Sequence, residues 1–155
     1  ISPKWGNSLQ QALVMSWALG CSCLGNRALL NMALPLPSHK EIFMHDWWLL
    51  LVAQSFGAVR CLGKPLLDYR QHENNVFGAI SRKTFLQRLK ALRLNVRQTQ
   101  LQAQTFLFRY KYQLTAEQRS IVSNWADMPE TPWLYRRWKC WKQGFRKPGW
   151  LSFQL

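Results

Sequence analysis

Read for spacing alone, the second half of the chain is helical. From Ser81 the apolar positions Phe85, Leu89, Leu92, Val96, Ala103, Phe106 and Tyr110 fall near a 3.6-residue period, with Arg and Lys on the other face. That pattern predicts one long amphipathic helix. Thr115 followed by Gln118 has the form of a capping box, which predicts a second helix running to about Ala126. The segment from Met128 to Pro132 breaks the pattern. Trp133 to Gln143 then predicts a third helix, basic and aromatic, ended by Gly144 and a Lys147-Pro148-Gly149 turn.

The first half reads differently. Ile1 to Gln11 is polar and loop-like, and Ala12 to Leu24 mixes apolar and small residues as a loop and strand would. Asn26 suits the start of a short helix to about Ala33, stopped by Pro35 and Pro37, with an exposed turn over Leu36 to Glu41. Asp46 to Gln54 is apolar almost throughout, which predicts a buried helix with Asp46 as its N-cap and Gly57 at its end. Ala58 to Leu62 and Leu66 to Arg70 read as two short strands around Gly63-Lys64-Pro65. No internal repeat or low-complexity tract is present.

Charge adds a second asymmetry. The 155 residues carry 21 Lys and Arg against 7 Asp and Glu, a formal net charge of +14. Up to Gly78 there are 6 basic and 4 acidic residues, whereas from Ala79 onward there are 15 and 3. The basic half therefore calls for an anionic partner, nucleic acid or a lipid surface. Four of the nine Trp residues (Trp133, Trp138, Trp141 and Trp150) share the last stretch with Arg136, Arg137, Lys139, Lys142, Arg146 and Lys147. Indole suits the water–lipid boundary, because its ring is apolar and its N–H seeks a partner. Each Lys or Arg there adds roughly 1 kcal/mol against acidic headgroups. Phosphate neutralisation and base stacking could use the same residue types. Yet the basic residues lie among Trp on amphipathic segments, and no nucleic-acid signature is present, which makes a membrane surface the favoured partner.

Cys21, Cys23, Cys61 and Cys140 lack the paired spacing of a zinc site and read as reduced thiols. No apolar run approaches the roughly 20 residues that a spanning helix requires. With no signal peptide and Ile1 as first residue, the expectation is an excerpt of a longer protein.

The chemistry concentrates in Met44-His45-Asp46-Trp47-Trp48, followed 22 residues after Trp48 by Arg70-Gln71-His72-Glu73-Asn74-Asn75. Asp46 is a carboxylate at a helix start, beside an imidazole and two indoles. A general base for sugar transfer needs a carboxylate facing a cleft, within hydrogen-bond reach of an acceptor hydroxyl. Indole rings suit the apolar C–H face of a sugar. The neutral imidazole of His72 can bind a divalent cation bridging donor phosphates, and Arg70 can pair with phosphate oxygens. Taken singly, each residue has a plainer reading: Asp46 a helix cap, Trp47 and Trp48 core rings, His72 a surface histidine.

Taken together these runs resemble bacterial family 2 glycosyltransferases of the rhamnosyltransferase-like type. The resemblance rests on Gly20-Cys21, Asn26-Arg27-Ala28-Leu29-Leu30, the His45-Asp46-Trp47-Trp48 run, Pro65, Tyr69-Arg70-Gln71-His72 and Asn75, and covers about residues 15 to 80. It implies an α/β chain: residues 1–80 as the C-terminal, acceptor-side part of a GT-A fold, and residues 81–155 as a helical, basic tail on the membrane surface. The implied activity is inverting transfer of a sugar, such as rhamnose, from a nucleotide donor to a cell-surface glycan or lipid-linked acceptor. By the same resemblance Asp46 is the base, His45, Trp47 and Trp48 lie on the acceptor side, Arg70 and Gln71 meet the donor phosphates, and His72 is a metal ligand. The metal, Mg or Mn, is expected only with a nucleotide-binding half that these residues do not include. Trp133, Arg136, Arg137, Trp138, Trp141 and Lys142 would face the cytoplasmic leaflet of the bacterial inner membrane as a peripheral anchor. No Asp-x-Asp pair occurs, the aspartates being Asp46, Asp68 and Asp127. Leu19 precedes Gly20-Cys21 where the family would place a small polar residue. Donor binding therefore cannot be built from this chain, which as it stands should not catalyse transfer. The alternative is a catalytically inactive basic module for a membrane surface or nucleic acid.

Overall fold

In the computed structural model, residues 8–62, 64, 67–68, 85–128 and 132–145 are described, and for residues 85–90, 92 and 133 the backbone alone. The described residues form six α-helices: α1 (Leu9–Val14), α2 (Arg27–Ala33), α3 (His45–Phe56), α4 (Phe85–Tyr110), α5 (Ala116–Ala126) and α6 (Trp133–Gln143), with one 3-10 turn at Gly20–Ser22.

Local chemistry accounts for most of these boundaries. Ser8 caps α1, its hydroxyl accepting from the Gln11 N–H, and Asn26 caps α2 by accepting from the Leu29 N–H at 2.9 Å. Each satisfies an N–H that the first turn would leave orphaned. Gly57 closes α3. The expected capping box is present on α5, Thr115 and Gln118 each holding the other's backbone N–H. Gly144, at φ 77°, gives α6 the left-handed C-terminal cap that a residue with a Cβ adopts only under strain.

The core gathers around α1, which packs against α3, α4 and α5, and the rings of α3 extend it onto α4. Trp48 is fully buried, its ring edge-on to Phe106 at 5.4 Å and tilted against Tyr110 at 5.9 Å. Phe56 lies against the same two rings. Trp47 is buried on the other side of α3, where its indole N–H donates to the Ala12 carbonyl of α1 at 2.6 Å. Residues Lys111–Thr115 return the chain so that α5 packs back along α4. Beyond it, Phe145 meets Trp125 at 5.2 Å and, with buried Cys140, ties α6 to the body. Burial pushes the Cys140 thiol up, against the opposing charges of Arg136 and Lys139.

This architecture corrects the α/β expectation. Among the described residues there is no strand and no sheet, so they do not make up part of a GT-A fold. Ala12–Leu24 was expected as loop and strand. Instead Leu9, Ala12 and Leu13, at i, i+3 and i+4, bury one face of a short helix, and only a 3-10 turn follows. Ala58–Leu62 takes no regular form, since a strand needs a neighbour to share ladder hydrogen bonds and none pairs with it among the described residues. Of the second expected strand only Leu67 and Asp68 are described, again without regular structure. Asp46 is also not the N-cap. Met44 holds that position without a side-chain cap, and Asp46 is the second residue of α3.

Candidate functional site

The most distinctive polar arrangement surrounds Asp46. The α3 start places its carboxylate under the Gly20–Ser22 turn, where it is only 5% exposed. Oδ2 accepts from the Gly20 N–H at 3.0 Å, and Oδ1 from the Trp47 N–H at 2.7 Å. An ionised carboxylate offers about four lone-pair directions, so two donors leave acceptor capacity in hand. Acidic groups also suit the first turn of a helix, where the backbone N–H groups carry partial positive charge.

The turn above Asp46 is exposed from Leu19 to Cys23. It approaches so closely that a Cβ on Gly20 would stand 3.1 Å from His45 Nε2 and 3.6 Å from the Asp46 Cβ. His45 is itself exposed, at the rim. Although Cys23 is exposed, partial desolvation of its thiol pushes it up, and the nearby Asp46 and Cys21 add to that. The Ser22 hydroxyl and the Cys23 thiol both donate to the Leu19 carbonyl. Here, then, is a carboxylate just beneath an exposed turn, with an imidazole beside it.

The expected partners divide into three groups. His45 stands next to Asp46 at the surface. Trp47 and Trp48 lie in the core, so their rings support α3 from below and do not form a wall at the surface. Large buried rings find apolar partners on α1 and α4, and that burial outweighs any preference for an exposed sugar face. Arg70, Gln71 and His72 lie outside the described residues. Among the described residues no group of three His, Cys, Asp or Glu side chains could hold a metal ion.

Two contributors escaped sequence reasoning. Gly20 was singled out only as part of the resemblance, yet its backbone N–H holds Asp46. Gln102 was not singled out at all. It is fully buried, and its Oε1 accepts from the Phe43 N–H at 2.9 Å, ahead of α3. A polar residue on the inward side of an otherwise amphipathic helix was the available signal.

A second surface belongs to α6. Trp138 and Trp141 are 49% and 61% exposed, and Leu134 and Tyr135 join them. The Lys142 ammonium lies 4.8 Å from the centroid of the Trp138 ring, and Tyr135 packs beside the same ring at 5.5 Å. Arg136 and Arg137 are half-buried. For Trp133 only the helical backbone is described. No helix among the described residues is long and apolar enough to cross a membrane.

Compared with known proteins, the chain matches no family model, no curated protein and no solved structure.

Proposed function

We propose that this chain supplies the acceptor side of an inverting glycosyltransferase, with Asp46 as the general base. What supports the reading is one observation: a carboxylate oriented by two backbone N–H groups lies beneath an exposed turn, beside an exposed imidazole. In the reaction, the acceptor hydroxyl oxygen attacks the anomeric carbon and the bond from that carbon to the donor phosphate breaks. The hydroxyl proton passes to a carboxylate oxygen of Asp46. The N–H groups of Gly20 and Trp47 fix where those oxygens point, which is the positioning a base needs. His45, at the rim, is placed to hydrogen-bond the acceptor.

The nucleotide-sugar, its divalent metal and an Asp-x-Asp pair belong outside this chain's described residues. Arg70, Gln71 and His72 are proposed to reach the donor phosphates and the metal from this side. The acceptor is a glycan or a lipid-linked saccharide, and the enzyme works at the cytoplasmic face of the bacterial inner membrane. Support for that location comes from α6, where exposed Trp138 and Trp141 share a helix with Lys142 and other basic residues. The test is sugar transfer by the protein together with its donor-binding half, comparing wild type with Asp46→Asn.

A further inference from the structure

Four side chains of α4 hold the connector that leads from α2 into α3. The Tyr110 hydroxyl donates to the Met32 carbonyl at 2.9 Å, and the Arg109 guanidinium to the Pro35 carbonyl. The Thr105 hydroxyl donates to the Glu41 carbonyl at 3.3 Å, and Gln102 Oε1 accepts from the Phe43 N–H. Positions 102, 105 and 109 share one helix face. As the chain runs forward from Met32 to Phe43, its partners run backward from Tyr110 to Gln102. The connector is thus laid antiparallel along α4, and its last fastening lies three residues before Asp46.

Gln102 is distinct among the four. It alone holds an N–H, and it is fully buried, whereas Thr105 and Arg109 are half-buried. Its amide nitrogen makes no hydrogen bond among the described residues. An unpaired buried donor costs stability. A methionine of the same length would avoid that cost, but its thioether sulfur offers the Phe43 N–H only a weak acceptor. The gain from glutamine is therefore the position of Phe43. Phe43 in turn packs edge-on against Trp47 at 5.4 Å, and the next residue, Met44, accepts the first backbone hydrogen bond of α3 from the Trp48 N–H.

We infer that Gln102 is a positioning residue for Asp46: by holding the Phe43 N–H it sets where α3 begins, and so keeps the carboxylate under the Gly20 N–H. The inference rests on the reading of Asp46 as the base for its catalytic consequence, though its structural part can be read separately.

The reporter is amide hydrogen exchange in the full chain. Gly20 sits in an exposed turn, so protection of its N–H depends on Asp46. In Gln102→Met, exchange at Phe43 and Gly20 rises about tenfold, as expected for loss of one buried hydrogen bond, while Val122 and Trp125 in α5 keep wild-type rates. In Gln102→Glu, which retains an acceptor oxygen at the same reach, Gly20 keeps its protection. Unchanged Gly20 exchange in Gln102→Met, with Phe43 released, overturns the inference. So does equal Gly20 release in the Met and Glu variants. Should the Met variant fail to fold, a folded Glu variant with Gly20 released overturns it alone. In the transfer assay, kcat falls in Gln102→Met with the acceptor KM unchanged and is restored in Gln102→Glu. If exchange responds as stated but no form of the protein, wild type included, transfers sugar, the link from Gln102 to Asp46 stands and the base role of Asp46 is what fails.

Discussion

The Gly20 N–H donates to the Asp46 carboxylate at 3.0 Å, joining an exposed turn to the start of a buried helix 26 residues later in the chain. With the Trp47 N–H on the other oxygen, Asp46 holds two segments together and leaves acceptor capacity unused. A structural role and the proposed catalytic one thus fall on one side chain, and each predicts a different measurement.

Asp46→Asn lowers stability as well as activity. The amide offers one acceptor oxygen where two N–H groups need one each, so one contact becomes donor against donor. The expected loss is about 1–3 kcal/mol, read by urea denaturation of the variant and wild type. An unchanged midpoint contradicts the two-donor arrangement.

Substitutions at Gly20 separate crowding from hydrogen bonding. Gly20→Ala keeps the N–H and crowds the end of the exposed His45 side chain at 3.1 Å, while its other neighbours, Asp46 Cβ and Oδ2, stay at ordinary contact distances of 3.6 and 3.7 Å. It costs less than about 1 kcal/mol, as surface changes generally do. Gly20→Pro removes the donor and costs about 1–3 kcal/mol. Denaturation midpoints that rank Ala below Pro contradict this account.

Cys23 reports on the charge at Asp46. Its thiol is held above the ordinary range because partial desolvation disfavours the thiolate, and the Asp46 and Cys21 charges add to that. Removing the Asp46 charge takes away one raising cause, so Cys23 titrates lower in Asp46→Asn. Alkylation of Cys23 at mildly alkaline pH, followed by peptide mass spectrometry, is then faster in the variant, since the thiolate is the reacting form. Slower or equal alkylation contradicts the proximity.

The α6 face predicts binding to anionic vesicles that weakens with salt. Trp138→Ala with Trp141→Ala removes exposed rings and leaves Cys140 and Phe145 packed, so the fold is kept while vesicle co-sedimentation drops. Lys142→Glu reduces binding to anionic vesicles, at roughly 1 kcal/mol for each basic charge lost near the surface. Equal binding to neutral and anionic vesicles contradicts the electrostatic part.

Helix boundaries were legible wherever a local signal marks them. Asn26, Gly57, Thr115 with Gln118, and Gly144 act within a turn of their own positions, and the structure has all of them in those roles. The end of α3 was read from such a signal, but its beginning was not, because Asp46 resembles a cap while its oxygens are engaged elsewhere. Short apolar runs misled most. Ala58–Leu62 has strand composition, but a strand exists only when paired, and pairing is not a local property. Trp47 and Trp48 carry the same ambiguity, since indole serves a core and a sugar equally well and only the partners from Ala12, Phe106 and Tyr110 decide. The Gly20–Asp46 and Gln102–Phe43 hydrogen bonds span 26 and 59 residues. Nothing periodic announces contacts at that separation.

The central claim is that Asp46 accepts the proton of an acceptor hydroxyl. Its most direct test is single-turnover sugar transfer by the protein together with the proposed donor-binding half, with nucleotide-sugar binding measured alongside. Asp46→Asn is predicted to slow transfer by at least about a hundredfold while donor affinity stays near wild type. Turnover close to wild type in a folded Asp46→Asn protein would contradict the claim.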